Sequence, residues 1–214
     1  GTGPVSGNFQ VLWQSYSEDE RIGAIVPPEK TGYNAYGNLR YNQGGFSAGF
    51  RYESYLNAVL GFPGRFKGSG IGYRFARYAS PSQNVDVTIG NFYEQFGSGI
   101  VLRSYEERAL GIDNAMDGVR IILRPIEGIQ IKTIYGKQRF DFDDGLINGD
   151  GIVRGIDGDL DLNALFSKKG GQDWKTKVNL GANFVSKFQA GGTIASDTLI
   201  LTLPENVGAW SYRL

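Results

Sequence analysis

The chain has 214 residues and balances 22 Lys plus Arg against 22 Asp plus Glu, so it carries no net charge to draw it toward nucleic acid. Cys and His are both absent, which removes disulfides, thiolate and imidazole metal ligands, and every nucleophile activated by a neighbouring imidazole. With 32 Gly, 12 Tyr and 13 Phe, the composition favours strands, tight turns and aromatic surfaces.

Alternation of apolar and polar residues dominates from the start, and a strand places successive side chains on opposite faces. Residues 5–16 set Val5, Phe9, Val11 and Trp13 against Ser6, Asn8, Gln10 and Gln14. Further strands are predicted at 33–41, 46–55, 70–78, 84–92, 118–124, 128–137, 152–165 and 174–185, with a weaker tenth at 198–203 and the start of an eleventh at 209–214. Their polar sides carry both signs: Arg40, Arg51, Glu53, Arg74, Asp86, Arg120, Lys132, Asp157 and Lys177. No run of ~18 apolar residues occurs, so no membrane helix is predicted.

Most of these segments run roughly 9–12 residues, close to the ~9–11 that a tilted strand needs to cross a bilayer and longer than the ~5–6 of soluble strands. The connections alternate. The long ones are 17–32, 56–69, 93–117, 138–151 and 186–196, and the short ones are 42–45, 79–83, 125–127, 166–173 and 204–208. Short periplasmic turns and longer external loops belong to outer-membrane barrels, whereas a Greek-key sandwich gives no reason for regular alternation. The expectation is one domain over 1–214, an all-β antiparallel up-and-down transmembrane β-barrel in the outer membrane, with a periplasmic N-terminus and a first strand running outward. Residues 209–214 read as half a strand, so the barrel is expected to continue past Leu214; the alternative is that ten strands close here. The chain opens Gly1-Thr2-Gly3-Pro4 with neither Met nor a signal peptide, as a processed or recombinant terminus would.

The connection 93–117 is the longest and most charged. Glu94, Arg103, Tyr105, Glu106, Glu107, Arg108, Asp113 and Asp117 are its candidate gating or partner-binding residues. The bland alternative is a solvated loop whose ion pairs are worth ~0–1 kcal/mol. Within it, 104–111 reads as a short helix with Ser104 as N-cap and Gly111 at its end. Asn148-Gly149-Asp150-Gly151 with Asp157 imitates a calcium loop, but Leu146 stands where the first acidic ligand belongs, so no metal is assigned. The glycines at 68–72 lack the Lys-Ser/Thr pair of a phosphate loop and read as turn. No catalytic residue and no cofactor is assigned. Tyr33, Tyr36, Tyr41, Phe46, Tyr52, Tyr55, Tyr73 and Tyr78 include several near strand ends and fit interfacial girdles. The rival reading is a soluble extracellular β-protein that binds glycans through exposed tyrosines.

The stretches Phe50-Arg51-Tyr52-Glu53-Ser54-Tyr55-Leu56-Asn57, Gly90-Asn91-Phe92-Tyr93-Glu94-Gln95-Phe96-Gly97, Arg103-Ser104-Tyr105-Glu106-Glu107, Asp113-Asn114-Ala115-Met116-Asp117-Gly118-Val119-Arg120 and Tyr135-Gly136-Lys137-Gln138-Arg139 are similar to those of a Bacteroidota family of outer-membrane β-barrel proteins of unknown function. The resemblance spans most of the chain. It implies a larger barrel of which this is the N-terminal portion, and it lends no catalytic residue. Members come from bacteria that use the type IX secretion system. The resemblance therefore implies a non-enzymatic pore, scaffold, or accessory or plug subunit of a protein-translocation complex, with outer-membrane lipid and other outer-membrane or translocon proteins as partners.

Overall fold

The computed structural model describes residues 4–167, 176–195 and 200–214. Ten strands make one sheet, each antiparallel to the next, in the order β1 (Val5–Ser15), β2 (Thr31–Gln43), β3 (Phe46–Tyr55), β4 (Phe66–Ala79), β5 (Val85–Phe92), β8 (Met116–Leu123), β9 (Ile129–Asp143), β10 (Leu146–Asp161), β11 (Asn179–Phe188) and β14 (Asn206–Arg213). Two hairpins stand apart: β6 (Glu106–Glu107) with β7 (Ile112–Asp113), and β12 (Gly192–Ala195) with β13 (Ile200–Leu203). The expected all-β antiparallel meander is present. Its edges are β1 and β14, which among the described residues pair only with β2 and β11 respectively.

Several expected boundaries move. The segment at 198–203 is not a strand of the main sheet, because its described part pairs with β12 in a local hairpin and Pro204, with no amide N–H, follows directly. The tenth sheet strand is β14, which contains most of the segment expected as an eleventh. The long loop expected at 138–151 is strand instead. Strands β9 and β10 run on to an Asp144-Gly145 turn whose φ angles are both positive, the Asp-Gly hairpin chemistry. At its other end β10 stops at Asp161, which accepts a hydrogen bond from Ala164 N (3.0 Å) and opens the helix α1 (Leu162–Ser167) where strand was expected. Strand β11 begins at Asn179 rather than Trp174, which lies outside the described residues. The connection between β10 and β11 is therefore longer than the short turn expected at 166–173.

Register carries the alternation across the sheet. Tyr78, Val87, Ile121, Thr133, Ile156, Phe184 and Trp210 follow one another from β4 to β14 on one face. One position along, Arg77, Thr88, Arg120, Ile134, Gly155 and Val185 follow one another on the other face. The first face is exposed, with Phe9 at 74%, Trp13 at 63% and Trp210 at 71% of their full surface. The second buries Asn34, Arg51, Glu53, Asp86, Asp157 and Asn183. An antiparallel sheet in water places its apolar side in a core and its charges outside; this sheet does the reverse.

The polar face is covered by the connection 93–115. Its Phe96 and Leu102 pack with Phe92, Met116, Ile134, Val153 and Val185. A second cluster joins Tyr36, Tyr55, Phe66 and Phe142. There the start of β4 and the end of β9 pair in parallel, Phe66 with Phe142 and Lys67 with Asp143, past the intervening β5 and β8. Gly155 leaves room for Phe96, since a Cβ there would lie 2.6 Å from its Cε2 and 3.1 Å from Ile134 Cγ1. Gly155→Ala is therefore expected to lower the urea midpoint, at a cost of about 1–3 kcal/mol. Gly158→Ala on the same strand, whose Cβ would meet nothing nearer than 3.9 Å, should leave the midpoint unchanged.

Candidate functional site

Arg51 and Glu53 alternate on β3, so both project onto the polar face. Arg51 Nε lies 2.6 Å from Glu53 Oε1. Arg139 on β9 faces them: its Nη2 is 2.8 Å from Glu53 Oε2, and neither side chain has any exposed surface. The covering loop supplies the remaining charges. Asp113 Oδ2 lies 2.6 Å from Arg51 Nη2 and 2.8 Å from Arg139 Nη1. Glu106 Oε1 lies 2.8 Å from Arg51 Nη1 and 2.9 Å from Arg108 Nε. Three carboxylates and three guanidiniums thus close a neutral network between two strands and the loop. Tyr55 OH donates to Glu53 (2.8 Å) and Tyr93 OH to Asp113 (3.0 Å), filling acceptor positions that the arginines leave.

The network sets the ionisation of its loop members. Burial pushes the Asp113 carboxyl above the usual range, against the pull of Arg139 and Arg51, and Glu106 and Glu53 add to the upward push. Burial likewise raises the Tyr93 phenol, with Asp113 next to it acting in the same direction.

Glu94 belongs to a second network. Its Oε1 is 3.0 Å from Lys132 Nζ and its Oε2 is 3.5 Å from Arg120 Nη1. Arg120 continues to Thr88 (3.1 Å) and to Asp86 (3.7 Å), which Arg77 holds through two hydrogen bonds of 2.9 and 2.6 Å. Opposite Lys132 in register stands Asp157, 2.8 Å from Arg213 Nη1. Alternating charges therefore run along the polar face from β4 to β14.

The other loop residues expected at the site lie apart. Arg103 is exposed, its guanidinium 4.7 Å from the Tyr105 ring centroid, and Tyr105 N donates to Asn114 Oδ1 (2.6 Å). Glu107 is exposed and accepts from Ala109 N (3.3 Å). It caps a single 3-10 turn, Arg108–Leu110, which Gly111 ends in the left-handed region. This corrects the expected helix. Ser104 does not cap it, because Ser104 Oγ instead accepts from Glu94 N (2.8 Å) and donates to Glu94 O (3.2 Å). Asp117 alternates with Val119 on the opposite, apolar face, where it accepts from Asn148 Nδ2 (2.7 Å). Asn148, Gly149, Asp150 and Gly151 lie within β10, and no group of three or more His, Cys, Asp or Glu placed to hold a metal occurs among the described residues.

Arg139 falls within the loop expected at 138–151 and has no place among the candidate residues. The Asp144-Gly145 turn, which extends β9, puts it on a strand facing Glu53. Arg139→Met leaves Glu53 and Asp113 short of a buried counter-charge, and a loss of about 3–5 kcal/mol in chemical denaturation is expected.

The model of a family of unknown function, DUF6029, matches residues 1–214. No curated protein and no solved structure matches the chain.

Proposed function

The chain belongs to DUF6029, a family of unknown function, and from its geometry we propose that it is a non-enzymatic β-barrel protein of the outer membrane whose interior is filled by its own loop. The inverted sheet carries this reading. Apolar side chains cover one face from β1 to β14 and stay exposed, while charged residues are buried and paired on the other. Soluble monomers rarely leave an apolar surface of this extent uncovered, and a hydrocarbon solvent makes it stable. Val5 pairs with Tyr41, so β1 starts at the end where β2–β3, β4–β5 and β8–β9 turn tightly, with the longer β10–β11 connection at this end and the Asp144-Gly145 turn at the other. In an outer-membrane barrel the end of the tight turns is periplasmic.

The covering loop makes the protein a plugged scaffold rather than an open pore. Phe96 and Leu102 anchor it through apolar contact, and Glu106 and Asp113 tie it to Arg51 and Arg139. Such a body suits an accessory or plug subunit of a protein-translocation complex; the link to type IX secretion rests on the sequence resemblance alone.

Cell fractionation of the native protein, followed by gel mobility before and after boiling, tests the membrane reading. Detergent-dependent extraction from the outer membrane with a shift on boiling is the expected result. Recovery as a soluble protein without the shift would sink it. In planar bilayers the wild type is expected to conduct little, and Glu106→Gln combined with Asp113→Asn to conduct more, because the loop then loses its charged ties. Equal conductance of the two proteins would leave the loop a purely structural role.

A further inference from the structure

On the polar face, Arg51, Arg77, Arg108, Arg120, Arg139 and Arg213 each lie within ion-pair distance of a carboxylate. Arg40 does not: among the described residues its guanidinium has no carboxylate or hydrogen-bond partner. What holds it is a ring. Arg40 stands opposite Gly49, and Gly49 opposite Phe75. A Cβ at Gly49 would lie 2.8 Å from the Leu39 carbonyl oxygen and 2.9 Å from Phe75 Cε1, so the missing side chain makes room for both the neighbouring strand and the ring. The Arg40 guanidinium carbon sits 5.5 Å from that ring's centroid. A guanidinium held over a ring and by no carboxylate keeps its N–H groups free, and these match a carboxylate or phosphate in a bidentate fork.

The surroundings supply further donors. A cavity of about 610 Å³ beside Arg40 is lined by Ser6, Asn8, Gln10, Asn38 and Arg108, a size typical of small-molecule sites. Asn8 Oδ1 accepts from Asn38 Nδ2 (2.7 Å), and Gln10 Oε1 accepts from Arg108 Nη1 (2.8 Å). With both oxygens engaged, the two amide NH₂ groups remain as donors. A second space of about 290 Å³ shares Asn38, Arg40 and Arg108 and adds Arg51, Tyr73, Tyr93 and Glu106, whose carboxylate is taken up by Arg51 and Arg108. We propose that Arg40, held over the Phe75 ring, anchors an oxyanion-binding site for a solute bearing a carboxylate or phosphate group. The site depends on the fold and not on the membrane assignment, so the two stand or fall separately.

Calorimetric titration of the full chain with inorganic phosphate and, separately, with acetate tests the site and identifies which anion it prefers. Saturable binding of at least one is expected. Arg40→Gln should weaken it about tenfold or more, as loss of charged hydrogen bonds does. Phe75→Leu, which removes the ring and keeps the charge, should also weaken it. Arg40 is exposed and makes no ion pair, so its replacement takes no partner from the fold, and an unchanged urea midpoint confirms that. Absence of saturable binding to both anions, or Arg40→Gln binding as tightly as the wild type, overturns the proposal.

Discussion

Arg139 and Glu53 confront each other with no side-chain surface exposed, and that single pair constrains everything around it. A charge removed from water stays ionised only if its hydrogen-bonding capacity is met by opposite charge nearby. One carboxylate does not suffice for two guanidiniums, so Asp113 is drawn in from the loop to serve Arg51 and Arg139 together. Glu106 and Arg108 complete the balance at the edge, where side-chain exposure rises to 21% and 31%. The position of residues 93–115 is thereby fixed by electrostatics at one end and by Phe96 and Leu102 at the other.

The same constraint explains why a chain of zero net charge is so unevenly charged in space. Most of its acids and bases alternate along one face of the sheet and neutralise each other there, leaving the other face largely to Val, Ile, Leu and aromatic residues, with the Arg74–Asp117 pair as an exception. Buried pairs of this kind contribute little net stability, because desolvation offsets attraction. Their effect is specificity: each strand has one register in which Arg77 meets Asp86 and Arg213 meets Asp157. A slip by one residue would turn every charge onto the apolar side.

That alternation was legible in the sequence, because a period of two needs no knowledge of partners; ten of the eleven expected strands lie within or overlap strands of the sheet. Partner choice was less legible. Ile200–Leu203 alternates as a sheet strand would, yet pairs locally, since a nearby complementary segment at Gly192–Ala195 wins over a distant edge. The turn at Asp144-Gly145 carried a readable signal that the polar run around it obscured. Of the candidate site, Glu106, Arg108 and Asp113 were visible as loop charges, but nothing in one dimension marks Arg139, 26 residues beyond Asp113, as the partner of that carboxylate. Arg40 was visible only as one polar-face residue among others, because its distinction is an absence of partners that no local pattern encodes.

The parallel contact between Phe66–Lys67 and Phe142–Asp143 gives the sheet a connectivity that a plain meander lacks. Strands β4, β5, β8 and β9 form a closed circuit, to which β3 attaches on one side and β10 on the other. Opening that circuit means giving up two contacts together. Cooperativity is thus concentrated in these four strands, and their backbone amides exchange with solvent last among the described strands, following the general rule that local stability tracks the contacts that must break at once.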